Sequence, residues 1–449
     1  MDNFITVWDF ILFPIYFLIV YAFATVIKNR NIATNIAYEY YVKGLLAKIL
    51  GGFVFCCIYI FYYKGGDSTA YWKFSGFLVN MMSKNFSVYL DIMAGNLTMQ
   101  NYYYFDSTTG FPEYWKDAQS FSTIRFTSPL YLLTIQSYFA CTLLLSTLSY
   151  SGIWRLYLLF TREFPGLERQ FAIAILFFPS LLFWGSGIMK DTYTLSAACW
   201  FTYSIYMVFV RREKIVPNIF WIIATTYVMI SFKPYIFIAL LPGTLVWVSF
   251  KRVQKIKSPV FKALAAPVVI AAFFLIGTLV LSSLSSDLKQ YSSVDNMLNK
   301  AVVSQSDLKQ DYYQGNSFDI GGFDGTIGGV FSKFPLAVTA GLFRPFIFEA
   351  KNPVMFISGI ENTFLLIFTL VFLFRVGPIK VLKYIFKEPL LLFSLTFAIF
   401  FAFGIGLSTS NFGALVRYKI PCIPFYLSSL YIIREYFEKQ EIVNDNKSG

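Results

Sequence analysis

The sequence predicts an all-α, polytopic membrane protein. It reads as a transmembrane helix bundle of about eleven spans, with a re-entrant or interfacial segment and interfacial helices in a large outer loop. Three observations carry this. Of the 449 residues, 57% are hydrophobic and only 14% charged, and mean hydropathy is +0.58, far too apolar for a soluble domain of this length. Apolar runs near the roughly 20 residues that a bilayer core demands recur along the chain. Lys and Arg collect in alternate short connections, as positive-inside topology requires.

The spans are read at 5–27, 44–63, 127–150, 170–189, 192–210, 217–232, 234–250, 263–284, 353–374, 388–407 and 418–434. The first has no basic stretch before it and no small-residue cleavage site, so it reads as a span and not a signal peptide. The stretch 334–350 is shorter and is broken by "FRPF", Phe343 to Phe346. A proline directly after a charge argues for a re-entrant or interfacial segment. The chain thus reads as one integral-membrane domain, 1–434, with a polar cytoplasmic tail, 435–449.

One face of the bundle collects 22 of the 37 basic residues against 9 acids, and the other holds 15 bases and 16 acids. The first set includes Lys28, Arg30, Lys43, Lys48, Arg155, Arg162, Arg211, Arg212 and Lys383. It defines the cytoplasmic side of a cytoplasmic (inner) membrane, with the N-terminus outside and the C-terminus cytoplasmic. Two long loops fall outside. In 64–126, Phe74, Phe77, Leu78, Met81 and Met82 share one helical face, and Asn85 interrupts before Phe86, Tyr89, Leu90 and Met93 repeat the pattern. Such segments lie flat at the headgroup level. The loop 285–333 is polar, ends in "FDIGGFDGTIGG" and reads as a mobile gate.

The net charge of +12 is explained by topology, so nucleic acid is not an expected partner; membrane lipid is. There is no histidine, which excludes His-based acid–base catalysis and His-ligated zinc or haem. Five cysteines show no metal spacing and read as buried thiols. Chemistry falls to carboxylates, Lys, Arg and Tyr.

Ionisable groups in or beside spans are costly and therefore functional suspects. Asp67, in "YYKGGDSTAYW", ends the second span on the outer side. It reads either as a polar helix-end residue, an N-cap for the helix that follows, or as a general base or cation anchor beside backbone made permissive by Gly65 and Gly66. Lys190 and Asp191 interrupt "FFPSLLFWGSGIMKDTYTLSAACW", and Lys233 interrupts "MISFKPYIF". They read as snorkelling residues at hairpin tips, or as cations converging on a phosphate. Arg344 and Glu349 lie in the broken segment, and Glu361 opens the next span; structural pairing and catalysis are both open for them. Arg417, Tyr418 and Lys419 precede the last span in "RYKIPCIPF". They read as an outer-leaflet anchor, or, since arginine grips phosphate through two hydrogen bonds, as a phosphate contact. All of these map to the expected outer end. A set of cations with a few carboxylates there suits an anionic lipid headgroup together with an acid–base step.

At Asp67, followed by interfacial helices, the chain resembles the GT-C superfamily of integral-membrane glycosyltransferases. The likeness extends to "RYKIPCIPF", which is similar to the basic, proline-containing start of a late span in some of those families. The acid here follows the second span instead of the first. The resemblance implies a polyprenyl-phosphate-linked sugar donor, a glycan or lipid acceptor deprotonated by Asp67, and a lipid phosphate held by the basic set, with use in surface polysaccharide or glycoconjugate assembly. No metal ligands are named by it, although a divalent cation (Mg or Mn) bridging Asp67 and a phosphate is compatible. The chain is also similar to O-antigen-polymerase-type proteins, which implies a polysaccharide polymerase or ligase. A transporter or flippase for lipid-linked glycans is a third expectation, which buried charge pairs through the membrane depth would favour.

Overall fold

The computed structural model describes residues 4–254, 294–308, 317–322 and 326–448. Among these the chain is helical throughout and has no strand; a single antiparallel bridge joins Ser317 and Asn411. Among the described residues seven helices are long and apolar enough to cross a membrane: Val7–Asn31, Ile36–Tyr62, Tyr138–Glu163, Lys190–Arg211, Ile215–Phe232, Pro353–Val376 and Pro389–Ser408. The protein is of the multi-pass membrane type.

Four expected spans differ from this set, for local reasons. The apolar run 127–150 lies across two helices, Ala118–Leu133 and Tyr138–Glu163. The turn between them holds Ile135 and Gln136 at φ 46° and 64°, a left-handed geometry that no hydropathy window registers. Residues 170–189 form no continuous span. A turn of α-helix, Glu168–Phe171, a π-turn, Ala172–Leu176, and the short helix Pro179–Trp184 follow one another, with Pro179 restarting the chain and Gly185 stopping it. The helix Pro234–Gln254 has an apolar part, Pro234–Phe250, shorter than a full span. The last span, read at 418–434, begins only at Ile423, and its helix continues to Ser448 through the stretch expected to be a tail. The expected span 263–284 lies outside the described residues.

The chain divides into two compact units. The first comprises 1–161, 176–203 and 219–233. Its helices are α1 (Val7–Asn31), α2 (Tyr41–Cys57), α3 (Asp67–Lys84), α4 (Phe86–Ala94), α5 (Ala118–Leu133), the greater part of α6 (Tyr138–Glu163), α7 (Pro179–Trp184) and most of α8 (Lys190–Ile205) and α9 (Ile215–Phe232). The "KGGD" stretch redirects the chain through its backbone. Lys64, Gly65 and Gly66 all take positive φ, 56°, 129° and 130°, which ends α2 and its trailing π-turn and redirects the chain into α3. Glycine reaches this region without a Cβ clash. Gly66 is the N-cap and Asp67 the first helical residue, where the helix dipole favours a carboxylate.

The apolar face of α3 expected at the headgroup level has a protein partner instead. Tyr71, Phe74, Leu78 and Met81 are buried, and α3 packs on α5. On α4, Phe86 and Leu90 are exposed while Tyr89 and Ile92 are buried. Asn85 ends α3 and caps α4, its Oδ1 accepting from Val88 N at 3.2 Å, and Gly95 closes α4 at φ 104°. Lys48, counted above with the cytoplasmic lysines, is buried near the middle of its apolar helix. It donates to Gly185 O and, at 3.2 Å, to Ser186 Oγ, so it serves the broken α7 turn and not the topology.

The second unit comprises 162–175, 204–218 and 234–449. It contains α10 (Pro234–Gln254), α11 (Val294–Asp307), α12 (Phe334–Phe343), α13 (Pro353–Val376), α14 (Pro378–Lys387), α15 (Pro389–Ser408), α16 (Phe412–Tyr418) and α17 (Ile423–Ser448). The segment read as re-entrant is α12, ended by Arg344–Pro345 and followed by a 3-10 turn, Ile347–Glu349. The described part of the loop expected to be a gate is pinned: Phe318 N donates to Ser410 O at 2.8 Å, and Phe318 and Ile320 are buried. Helices α12 and α15 touch backbone to backbone. A Cβ at Gly406 would run into the carbonyl of Ala337, and one at Gly341 into that of Ala402. Small residues at such crossings give close van der Waals packing, which is what drives helix association in lipid.

Gly406→Val is therefore expected to lower the thermal midpoint in detergent, at a cost of about 1–3 kcal/mol from overpacking. Gly404→Val, on the same helix but with nothing within 4 Å of its Cβ position, is expected to leave it nearly unchanged. Circular dichroism melts of both variants check this.

Candidate functional site

In the first unit the polar groups gather where α3, α5 and α8 begin. Asp67 is half-buried and its Oδ1 accepts a hydrogen bond from Tyr114 Oη at 3.2 Å. Tyr114 sits in the aromatic loop before α5 with φ 62°, a strained conformation for a bulky residue, at a cost of about 1–3 kcal/mol. Burial and then the Asp67 charge push its phenol up to about 12, so Tyr114 stays a neutral donor to the carboxylate. The Tyr114 ring packs on that of Tyr71, 5.3 Å between centroids, and Tyr71 Oη donates to Ser120 Oγ at 3.4 Å.

Ser120 is the junction. Lys190 Nζ donates to its Oγ at 2.9 Å, while the Ser120 hydroxyl itself donates to Asp117 Oδ2. One donor and two lone pairs are then all in use. Asp117 is the N-cap of α5, with Oδ1 accepting from Gln119 N and Ser120 N, each at 3.1 Å. Burial would raise its pKa, but the Lys190 charge, the Ser120 hydroxyl and the two backbone N–H groups outweigh that and hold it below the usual carboxylate range. Asp67 and Lys190 thus stand at the two ends of one cluster, linked by hydroxyls and a ring contact.

Lys233 pairs with the residue next to Lys190. It forms an ion pair with Asp191 Oδ1 at 2.5 Å, the two side chains 6% and 2% exposed. Its charge is committed within the protein, which is what burial of a cation demands.

The other expected residues form a cluster in the second unit. Arg344 binds Glu349 through two nitrogens, one contact being Nε to Oε1 at 3.0 Å. It also lies over the rings of Phe318 and Phe412, 4.5 and 5.2 Å from their centroids. Lys419, fully buried, donates to the carbonyls of Leu342 and Arg344, each at 3.1 Å, and to Asn362 Oδ1. It therefore satisfies acceptors at the end of α12. Glu361 is buried on α13 near enough to act electrostatically on Lys419. Arg417 lies over the Tyr418 ring, 5.2 Å from its centroid.

Tyr71, Tyr114, Asp117, Ser120 and Asn362 were not singled out from the sequence. Among the described residues no group of three or more Asp, Glu or Cys side chains could hold a metal ion. All five cysteines are free thiols, four of them buried, as their spacing implied.

Comparison with protein-family models, curated proteins and solved structures gives no match for this chain.

The buried pair sets up a double-mutant cycle. Lys233→Met or Asp191→Asn alone is expected to cost about 3–5 kcal/mol by leaving an uncompensated ion, and the double variant much less than the sum. Thermal or denaturant unfolding of the three variants measures the coupling.

Proposed function

We propose that the chain is an integral-membrane glycosyltransferase. It takes a polyprenyl-phosphate-linked sugar at the outer face of the cytoplasmic membrane, in surface polysaccharide or glycoconjugate assembly, with its N-terminus outside and its C-terminus cytoplasmic. The single observation that supports this is the cluster joining Asp67 to Lys190. Group transfer from a phosphate leaving group needs a base at the acceptor hydroxyl and a cation for the charge that departs with the phosphate. A half-buried carboxylate held by a neutral phenol, and an ammonium at the far end of the same hydroxyl cluster, supply these two groups. In this reading Asp67 takes the acceptor proton, Tyr114 orients it and Lys190 stabilises the leaving phosphate. Arg344, Glu349, Glu361, Arg417, Tyr418 and Lys419 enter only through their own cluster, where Lys419 and Glu349 serve the chain itself.

A second reading, transport of lipid-linked glycans without covalent chemistry, has its own support. Lys48 lies buried in mid-helix and Asp191–Lys233 is a buried ion pair. Transporters use such groups as relays.

Asp67→Asn is expected to lower transfer from a lipid-linked sugar in proteoliposomes by about two to four powers of ten while expression and thermal midpoint hold. Lys190→Met is expected to lower it too, and Tyr114→Phe less. Unchanged transfer in Asp67→Asn would refute the assignment of Asp67. Exchange of lipid-linked glycan with no covalent product would favour the second reading, and a ladder of repeat units would assign a polymerase.

A further inference from the structure

Arg125 has no part in the cluster above, although it lies on the same helix, α5. It is 5% exposed. Its hydrogen bond is from Nη2 to Tyr227 Oη at 3.2 Å, and its enclosed Nε has no acceptor. Guanidinium carries five N–H donors and is always charged. Among the described residues no carboxylate pairs with it. This is unlike Lys233 and Arg344, which pair with Asp191 and Glu349, and unlike Lys48, whose ammonium is met by a carbonyl and a hydroxyl.

The surroundings leave room for the group. Gly95, at the end of α4, faces it, and a Cβ there would come 2.8 Å from Nη1. On the other side Tyr227 is 49% exposed and lies on one face of α9 with Phe220 and Ile223, 63% and 65% exposed. The buried guanidinium is thus joined, through the Tyr227 hydroxyl, to an exposed apolar face of α9. That hydroxyl accepts from Arg125 and keeps its own proton to donate. A planar fork with a neighbouring hydroxyl donor matches a phosphate oxyanion, and the apolar stripe matches a chain attached to it.

We infer that Arg125 and Tyr227 form a binding site for a phosphate group, reached along the exposed apolar face of α9, and distinct from the Asp67–Lys190 cluster. The inference stands whether or not the chain transfers sugars, because it concerns binding alone. The phosphate can be that of a lipid headgroup or a free anion, and the probes separate these.

The test is thermal stability of the purified full chain, since a ligand that binds only the folded state raises the midpoint. The probes are a short-chain polyprenyl monophosphate in detergent, inorganic phosphate in detergent, and nanodiscs of phosphatidylglycerol against phosphatidylcholine. The lipid phosphates are expected to raise the wild-type midpoint in a concentration-dependent way. Arg125→Gln is expected to weaken the apparent affinity about tenfold or more, and Tyr227→Phe by less. Without any probe, Arg125→Gln is expected to melt no lower than wild type, because it removes a buried charge that lacks a counter-ion; a purely structural arginine would give the opposite. A shift with inorganic phosphate equal to that with the lipids assigns a free anion as the ligand of the same site. No shift with any probe, or equal shifts in wild type and Arg125→Gln, overturns the site. Should Arg125→Gln fail to fold, Tyr227→Phe with unchanged affinity does so.

Discussion

The hydroxyl of Ser120 is the point on which the polar interior of the first unit depends. It accepts hydrogen bonds from Lys190 and from Tyr71 and donates one to Asp117, and Asp117 in turn caps the helix that carries Ser120. Each such bond is worth only about 1 kcal/mol net, and about 1.5–3 where one partner is charged. The larger effect is the cost of losing one, because the Lys190 ammonium would lose its neutral acceptor and Asp117 one of its donors in an apolar interior. This constraint holds Lys190, at the start of its helix, against the first turn of α5.

The same rule shapes the second unit with different means. Proline at 345 ends α12 and leaves its carbonyls without helical donors, and Lys419 reaches back to supply them. Asn362 completes the tie by accepting from Lys419 and donating to Pro345 O at 3.1 Å. Arg344 is neutralised by Glu349 and covered by Phe318 and Phe412. A proline after a charge was thus a sound sign of a break. The use of the nearby lysine was not to be read from spacing, since its acceptors lie 75 and 77 residues away.

Long uninterrupted apolar runs made most of the spanning helices legible, because length and hydropathy are the whole requirement for a span. The runs at 127–150 and 170–189 misled for a matching reason: hydropathy does not register Ile135 and Gln136 in left-handed geometry, nor a restart at Pro179. Asp67, Lys190 and Lys233 stood out because an ion in an apolar chain is expensive. Tyr114 and Ser120, which decide how those ions are used, are cheap residues that occur everywhere in this chain. Arg125 was hidden by its setting, since 64–126 read as a loop in which a base needs no explanation. A closer signal was present in "SFSTIRFTSP", a run of hydroxyls around one cation that suits a buried polar helix and not a solvated loop. Lys48 was hidden by the opposite error, counted for topology when its helix had already buried it.

The proposed chemistry depends on one spatial relation, the linkage of Asp67 to Lys190 through Tyr114, Tyr71 and Ser120. A cryo-electron microscopy map of the protein in lipid nanodiscs, at a resolution that shows side chains, tests it most directly. The account requires Tyr114 Oη within hydrogen-bond distance of the Asp67 carboxylate and Lys190 Nζ on the Ser120 hydroxyl. Asp67 turned into open solvent away from Tyr114, or Lys190 paired with a carboxylate elsewhere, would contradict it.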